Sequence, residues 1–136
     1  MKKLLLSIFF IVALISCNKE PGDLKYSETI PGGCATDKGV SSKNSLASET
    51  DKASYTIVDG NLNLFVGFNA TCCGQYSTAY EISGDTISVK ILTTQIGQCN
   101  CICYYTYNFK FTGSGNNYKY EVKIDNILTF NGEIKP

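Results

Sequence analysis

Cysteines are the residues in this chain whose spacing points most directly to chemistry. Beyond Cys17 there are six: Cys34, Cys72, Cys73, Cys99, Cys101 and Cys103. Six thiols in one small exported domain predict three disulfides. Cys99, Cys101 and Cys103 alternate, so on an unbroken strand their sulfurs share one face. Residues two apart on a strand are separated by about 7 Å, the far edge of disulfide reach, so the triplet should bond to other segments.

The adjacent pair Cys72 and Cys73 is the expected partner of the triplet. Neighbouring residues point in different directions, and a bridge within the pair would close a strained ring. The economical arrangement joins each of them to one triplet member and leaves Cys34 for the third bridge, although other connectivities stay open. The alternative is a thiolate site for Cu(I) or Zn²⁺, since both metals accept cysteine-only ligation. Disulfides are favoured because the C-x₂-C spacing of structural zinc sites is missing, and no cofactor is predicted.

Composition excludes several classes of function. The 136 residues contain no Arg and no His, and the formal net charge is zero. Nucleic-acid and phosphate recognition depend on clustered Arg and Lys, so no nucleic-acid partner is expected. Imidazole-based acid–base catalysis is impossible without His. Because no nucleophile elbow, carboxylate pair or phosphate loop stands out either, we predict that the protein is not an enzyme.

The amino terminus reads as an export signal. A basic start precedes the apolar run Leu4 to Ile15, whose twelve residues rise only about 18 Å as a helix, too little to span a ~30 Å hydrocarbon core. Leu14-Ile15-Ser16-Cys17 resembles the lipobox of bacterial lipoproteins. The resemblance implies that residues 1–16 are a signal peptide and that Cys17 carries the acyl chains that bind the membrane.

The segment after the lipobox is polar. Asn18-Lys19-Glu20 resembles the Lys-plus-acid signals that direct lipoproteins of the Bacteroidota to the outer cell surface, which implies outer-membrane attachment with surface exposure. Residues 17–54 contain two Pro-Gly steps and many Ser, Lys, Asp and Glu. We predict that they form the lipidated N-terminus, a tether and a solvated loop.

Residues 55–136 are predicted to form the folded domain. Apolar and polar residues alternate in several runs, most regularly where Tyr118, Tyr120, Val122 and Ile124 alternate with charged residues. This period is typical of antiparallel strands with one buried face, and Gly-, Asn- and Asp-rich turns separate the runs. We predict an all-β meander of six to seven antiparallel strands, stapled by disulfides. A small barrel is preferred over a sandwich because closure removes exposed edges.

Four motifs occur in an order that resembles small Cys-rich lipoproteins of the Bacteroidota. They are the lipobox, the run Ala70 to Gly74 with its vicinal cysteines, the run Gly84 to Ile87 and the run Cys99 to Tyr105. The resemblance implies an exported, disulfide-bearing β-fold and no assigned activity. Asp85-Thr86-Ile87 also resembles the O-glycosylation acceptor of that phylum, which makes Thr86 a candidate glycosylation site.

The polar face of the longest strand offers a candidate interaction patch. Tyr104, Thr106 and Asn108 share this face, and Tyr between polar residues is a common interface composition. The alternative is that they only cover the outer face of a sheet. We therefore predict a lipid-anchored, exported, non-catalytic binding or structural module with an unknown protein or glycan partner. Two alternatives are a thiolate metal-binding lipoprotein and a lysozyme inhibitor, because such inhibitors include small lipid-anchored, disulfide-bonded barrels.

Overall fold

The fold is all-β, as predicted. The computed structural model describes residues 23–35 and 49–136 except Gln98, without the side chains of Cys34 and Ala35. These residues form eight strands: β1 (Lys25–Ala35), β2 (Lys52–Val58), β3 (Asn61–Thr71), β4 (Gln75–Ser83), β5 (Thr86–Gln95), β6 (Ile102–Thr112), β7 (Tyr118–Ile124) and β8 (Ile127–Ile134). Among them there is no helix long and apolar enough to cross a membrane.

The strands form two open sheets that pack as a sandwich. Their orders are β1-β6-β3-β2 and β4-β5-β7-β8. Facing side chains meet across the interface; the ring centroids of Phe68 and Tyr76, for example, lie 5.4 Å apart. The sandwich alternative is therefore confirmed, and the preferred barrel is wrong. The sheets do not close because each keeps two edge strands of its own.

The predicted meander is also wrong in its connections. After β5 the chain crosses to the other sheet, where β6 lies between β1 and β3. As a consequence β5 pairs with β7, and this pair is parallel, with Val89 opposite Val122. A meander requires consecutive strands to be neighbours. The apolar face of β6 instead packs across the sandwich from its place in the first sheet, where the Tyr105 and Phe111 rings meet the Tyr76 and Tyr80 rings of β4.

The first strand was not predicted, so the strand count is eight rather than six to seven. β1 lies within the segment 17–54 that was expected to be tether and loop, and it pairs with β6 along its whole length. Its sequence lacks a clear alternation because two register shifts, one at Pro31/Gly33, interrupt the ladder. An edge strand tolerates such breaks. The predictions for residues 1–22 and 36–48, including Cys17, lie outside the described residues.

The core lies between the sheets and comes mainly from the four central strands. The predicted alternation is confirmed there. The fully buried side chains include Leu62, Leu64, Val66, Ile87, Val89, Ile91, Phe109, Phe111, Val122 and Ile134. Most of these residues lie on β3, β5, β6 and β7, which have neighbours on both sides, and Ile134 lies at the end of the edge strand β8. The edge strands contribute half-buried residues such as Tyr26 and Ile82.

The two ends of the sandwich differ in character. Lys25 and Asn61 both pair with Thr112 at one end, which we call the N-terminal pole because the described domain begins there. At the other end Thr71 pairs with Ile102, beside the cysteines, and we call this end the cysteine pole. Eleven residues of β6 connect the two poles, a length of about 34 Å for a strand.

Candidate functional site

Two disulfides join two connecting segments at the cysteine pole. Cys72 is bonded to Cys101, with Cα atoms 5.6 Å apart, and Cys73 to Cys99, with Cα atoms 6.1 Å apart. The prediction that each member of the vicinal pair bonds to the triplet is confirmed. The bridges tie the β3–β4 turn to the connection between β5 and β6.

The triplet does not lie on one strand. The chain bends at Asn100, and β6 begins only at Ile102. Cys103 is therefore buried in the core, whereas Cys99 and Cys101 project from the connection before the strand. Cys103 is disulfide-bonded as well. The backbone of Cys34 lies opposite Tyr105 in the β1–β6 ladder, two residues from Cys103; its predicted third bridge lies outside the described side chains.

Tyr105 anchors the disulfide-bonded β3–β4 turn from its place on β6. Its hydroxyl lies 3.1 Å from the carbonyl oxygen of Thr71, 3.0 Å from that of Cys72 and 3.3 Å from that of Gly74. The Cys73 amide donates to Sγ of Cys99 at 3.0 Å. The bridges and these hydrogen bonds hold the backbone of the pole in one arrangement. The sequence did not single out Tyr105.

Replacement of Tyr105 by Phe tests this anchor. The ring would still pack, but the carbonyls would lose their shared donor, so we expect the free energy of unfolding to fall by about 1–2 kcal/mol. Urea denaturation followed by circular dichroism measures the change. Tyr80→Phe is the control, because Tyr80 is exposed and its replacement should cost less than about 0.5 kcal/mol. Equal losses in the two variants would contradict the anchoring role.

Exposed apolar side chains gather at the same pole. Ile96 is 79% exposed and Ile102 is 45% exposed, on either side of the bridged connection. Ile127 and Leu128, at the start of β8, are exposed at this end too. The Asp125 carboxylate accepts hydrogen bonds from the amide and hydroxyl of Thr93 at 2.7 and 2.8 Å, which ties the β7–β8 turn to β5. The pole thus presents apolar residues on a braced backbone.

Tyr104 is not available as part of the predicted interaction patch on β6. This residue is 6% exposed, and its ring lies over Gly67, where any added Cβ would overlap the phenol. Burial raises the pKa of Tyr104. Thr106 and Asn108 are half-buried on the same face. The three residues cover the outer face of the first sheet, as the alternative to the patch predicts, because β1 and β3 flank β6 closely.

Thr86 lies at the other end of the molecule. It is half-buried at the start of β5, and its hydroxyl donates to Oδ1 of Asp85 at 3.0 Å. This hydrogen bond and the ion pair with Lys119 lower the pKa of Asp85. Glycosylation of Thr86 stays a prediction.

The disulfides compete with the alternative that the cysteines bind Cu(I) or Zn²⁺ as thiolates. Within the described ranges no three His, Cys, Asp or Glu side chains are grouped as a metal site would require. Five of the six candidate cysteines, Cys103 included, are in bridges, and they would have to be reduced before they could act as thiolate ligands. Comparison of the chain with protein-family models, curated proteins and solved structures gives no match.

Proposed function

We propose that the protein is a lipid-anchored, exported, non-catalytic binding module of the outer cell surface that presents its cysteine pole to a protein partner. One observation carries the proposal. The described domain begins at the N-terminal pole, whereas the bridged segments with Ile96 and Ile102 lie at the opposite end. Five residues separate Cys17 from Asp23, and the six Cα–Cα steps between them span at most about 20 Å. An acyl anchor on Cys17 would therefore point the cysteine pole away from the bilayer.

The chemistry of the pole favours a protein over a glycan. Isoleucine side chains cannot form hydrogen bonds with sugar hydroxyls, but they gain about 25 cal/mol for each Å² of apolar area that a partner covers. The bridges remove much of the loop freedom that a partner would otherwise have to restrict on binding. A braced apolar end suits a partner with an apolar surface. The lysozyme-inhibitor alternative rested on a closed barrel, and the open sandwich removes that basis.

Lipidation is tested by replacing Cys17 with Ala in the full chain expressed in its producing cells. We expect the wild type in the membrane fraction and the variant in the soluble fraction, because a diacylated cysteine is the only strong anchor predicted. Asn18→Ala, which leaves the lipobox intact, should stay with the membrane. Mass spectrometry of the mature N-terminal peptide should show the acyl chains. Retention of Cys17→Ala in the membrane would refute the anchor.

Recognition by the pole is tested with Ile96→Ser combined with Ile102→Ser. Cross-linking on intact cells should capture at least tenfold less partner with this double variant than with the wild type, since two exposed apolar contacts are lost. Val58→Ser is the matched control, because Val58 is 58% exposed but lies at the N-terminal pole. Equal capture by the double variant and by the control would show that binding occurs elsewhere.

A further inference from the structure

The four edges of the sandwich are protected unequally. β1 contains Pro31, which lacks an amide hydrogen, and two register shifts. β2 and β8 contact each other, and the Lys135 amide donates to the Tyr55 hydroxyl at 3.2 Å, so they cover one side of the sandwich together. β4 contacts β1 through side chains, with the Tyr26 and Tyr80 rings stacked at 3.9 Å between centroids, but its own backbone has no device that prevents pairing. From Tyr76 to Ser83 it pairs regularly with β5, without Pro, Gly or Lys and with Glu81 as its single charge.

The free backbone groups of β4 follow from its turn. Gly84 and Asp85 form a two-residue hairpin with Gly84 at a φ of 57°, so the flanking residues Ser83 and Thr86 form a hydrogen-bonded pair. Hydrogen-bonded and free residues then alternate along the strand. Four residues direct their amide and carbonyl groups towards the open edge: Tyr76, Thr78, Tyr80 and Ile82. The side chains of Ser77 and Ala79 lie on the outer face, where both are exposed and small.

We propose that this edge pairs with the β4 edge of a second copy of the chain, in antiparallel register about Ala79. In this register Thr78 lies opposite Tyr80 of the second copy, and Tyr76 lies opposite Ile82. All four residues with free backbone groups are paired. On the outer face Ala79 meets Ala79, and Glu81 meets Ser77, whose hydroxyl can donate to the carboxylate. No like charges face each other, so the β4 edge is complementary to itself, as pairing between two identical copies requires.

The antiparallel arrangement determines where the two membranes lie, and this step rests on the lipid anchor proposed above. Pairing two β4 strands head to tail places the N-terminal poles at opposite ends of the dimer. Copies anchored at these poles therefore pair between two facing membranes rather than within one. Pairing of two single edge strands buries less area than a standard protein interface, so we expect a weak dimer in solution. Between two membranes, the many copies displayed on each surface raise the overall strength of binding.

Two lysine variants with the same added charge test the register. Ala79→Lys places two lysines opposite each other and should weaken dimerisation at least tenfold, whereas Ser77→Lys faces Glu81 and should leave it unchanged or strengthen it. Sedimentation velocity of the full chain in density-matched detergent, over a series of concentrations, measures the effect. A wild type that stays monomeric at every concentration overturns the proposal, as does equal weakening by both variants.

Vesicles carrying the full lipidated chain test the placement between membranes. Wild type and Ser77→Lys should cluster the vesicles, measured by light scattering, and Ala79→Lys should not. Flotation of the vesicles checks the anchor separately, so loss of the protein from the vesicles refutes the anchor and not the β4 pairing. Vesicles that retain the protein but stay dispersed, while the chain dimerises in detergent, overturn the pairing between membranes.

Discussion

Loss of both described disulfides is expected to lower the free energy of unfolding by about 5–6 kcal/mol, whereas loss of either one lowers it by only about 2 kcal/mol. The single variants replace Cys72 and Cys101, or Cys73 and Cys99, with Ser. Guanidinium denaturation monitored by circular dichroism compares them with the variant that lacks all four cysteines. The effect of removing both bridges is thus larger than the sum of the separate effects.

Nesting of the bridges causes this difference. They span 29 and 26 residues along the chain, so either bridge alone closes a long loop and stabilises the fold by about 3.5 kcal/mol through the unfolded chain. Once one bridge exists, the second closes a loop of only a few residues and adds about 2 kcal/mol. Additive losses of about 3.5 kcal/mol each would contradict the nested arrangement, and peptide mapping of each variant confirms which bridges remain.

Truncation of Phe109 to Ala should cost about 3–5 kcal/mol. Phe109 is fully buried on β6, opposite Leu64 of β3, and a cavity there is lined by both sheets. The central position of β6 prevents the surrounding strands from collapsing into the space. Thermal and urea unfolding of the variant and the wild type measure the loss.

Phe65→Ala is the matched control for this core substitution. Phe65 is the same residue type on the neighbouring strand, but it lies half-buried on the outer face, with the Lys52 ammonium 5.8 Å from its ring centroid. We expect its truncation to cost about 1 kcal/mol, because solvent fills the space and little core packing is lost. Similar losses in both variants would show that the two faces of the first sheet are equally buried.

The proposed recognition surface and the proposed self-pairing edge lie on different parts of the molecule, so each can be disrupted without the other. Recognition at the cysteine pole depends on Ile96 and Ile102, whereas self-pairing depends on the edge of β4. In a dimer paired about Ala79, the cysteine pole of each copy lies beside the N-terminal pole of the other. A protein partner of the pole would then be found close to the opposing membrane.

Local features of the sequence determined most of the strands and two of the bridges. The alternation of Tyr118, Val122 and their neighbours predicted which side chains are buried, because a strand places every second residue on one face. The spacing of the cysteines predicted that Cys72 and Cys73 bond to the triplet, because the geometry of a disulfide disfavours bridges within either group. The anchor at Cys17 and the glycosylation of Thr86 stay predictions.

The tertiary structure alone decided how the strands are arranged. Which sheet accepts β6 depends on how apolar faces distant in the chain match, so neither the parallel pairing of β5 with β7 nor the open sandwich could be inferred from periodicity. β1 was not predicted because an edge strand is held mainly by backbone hydrogen bonds, which do not require its apolar and polar residues to alternate. The exposure of Tyr104 also depended on a neighbouring strand. The sequence correctly placed Tyr104 on the outer face of its sheet, but Gly67 on β3 leaves room for its ring to lie flat and buried.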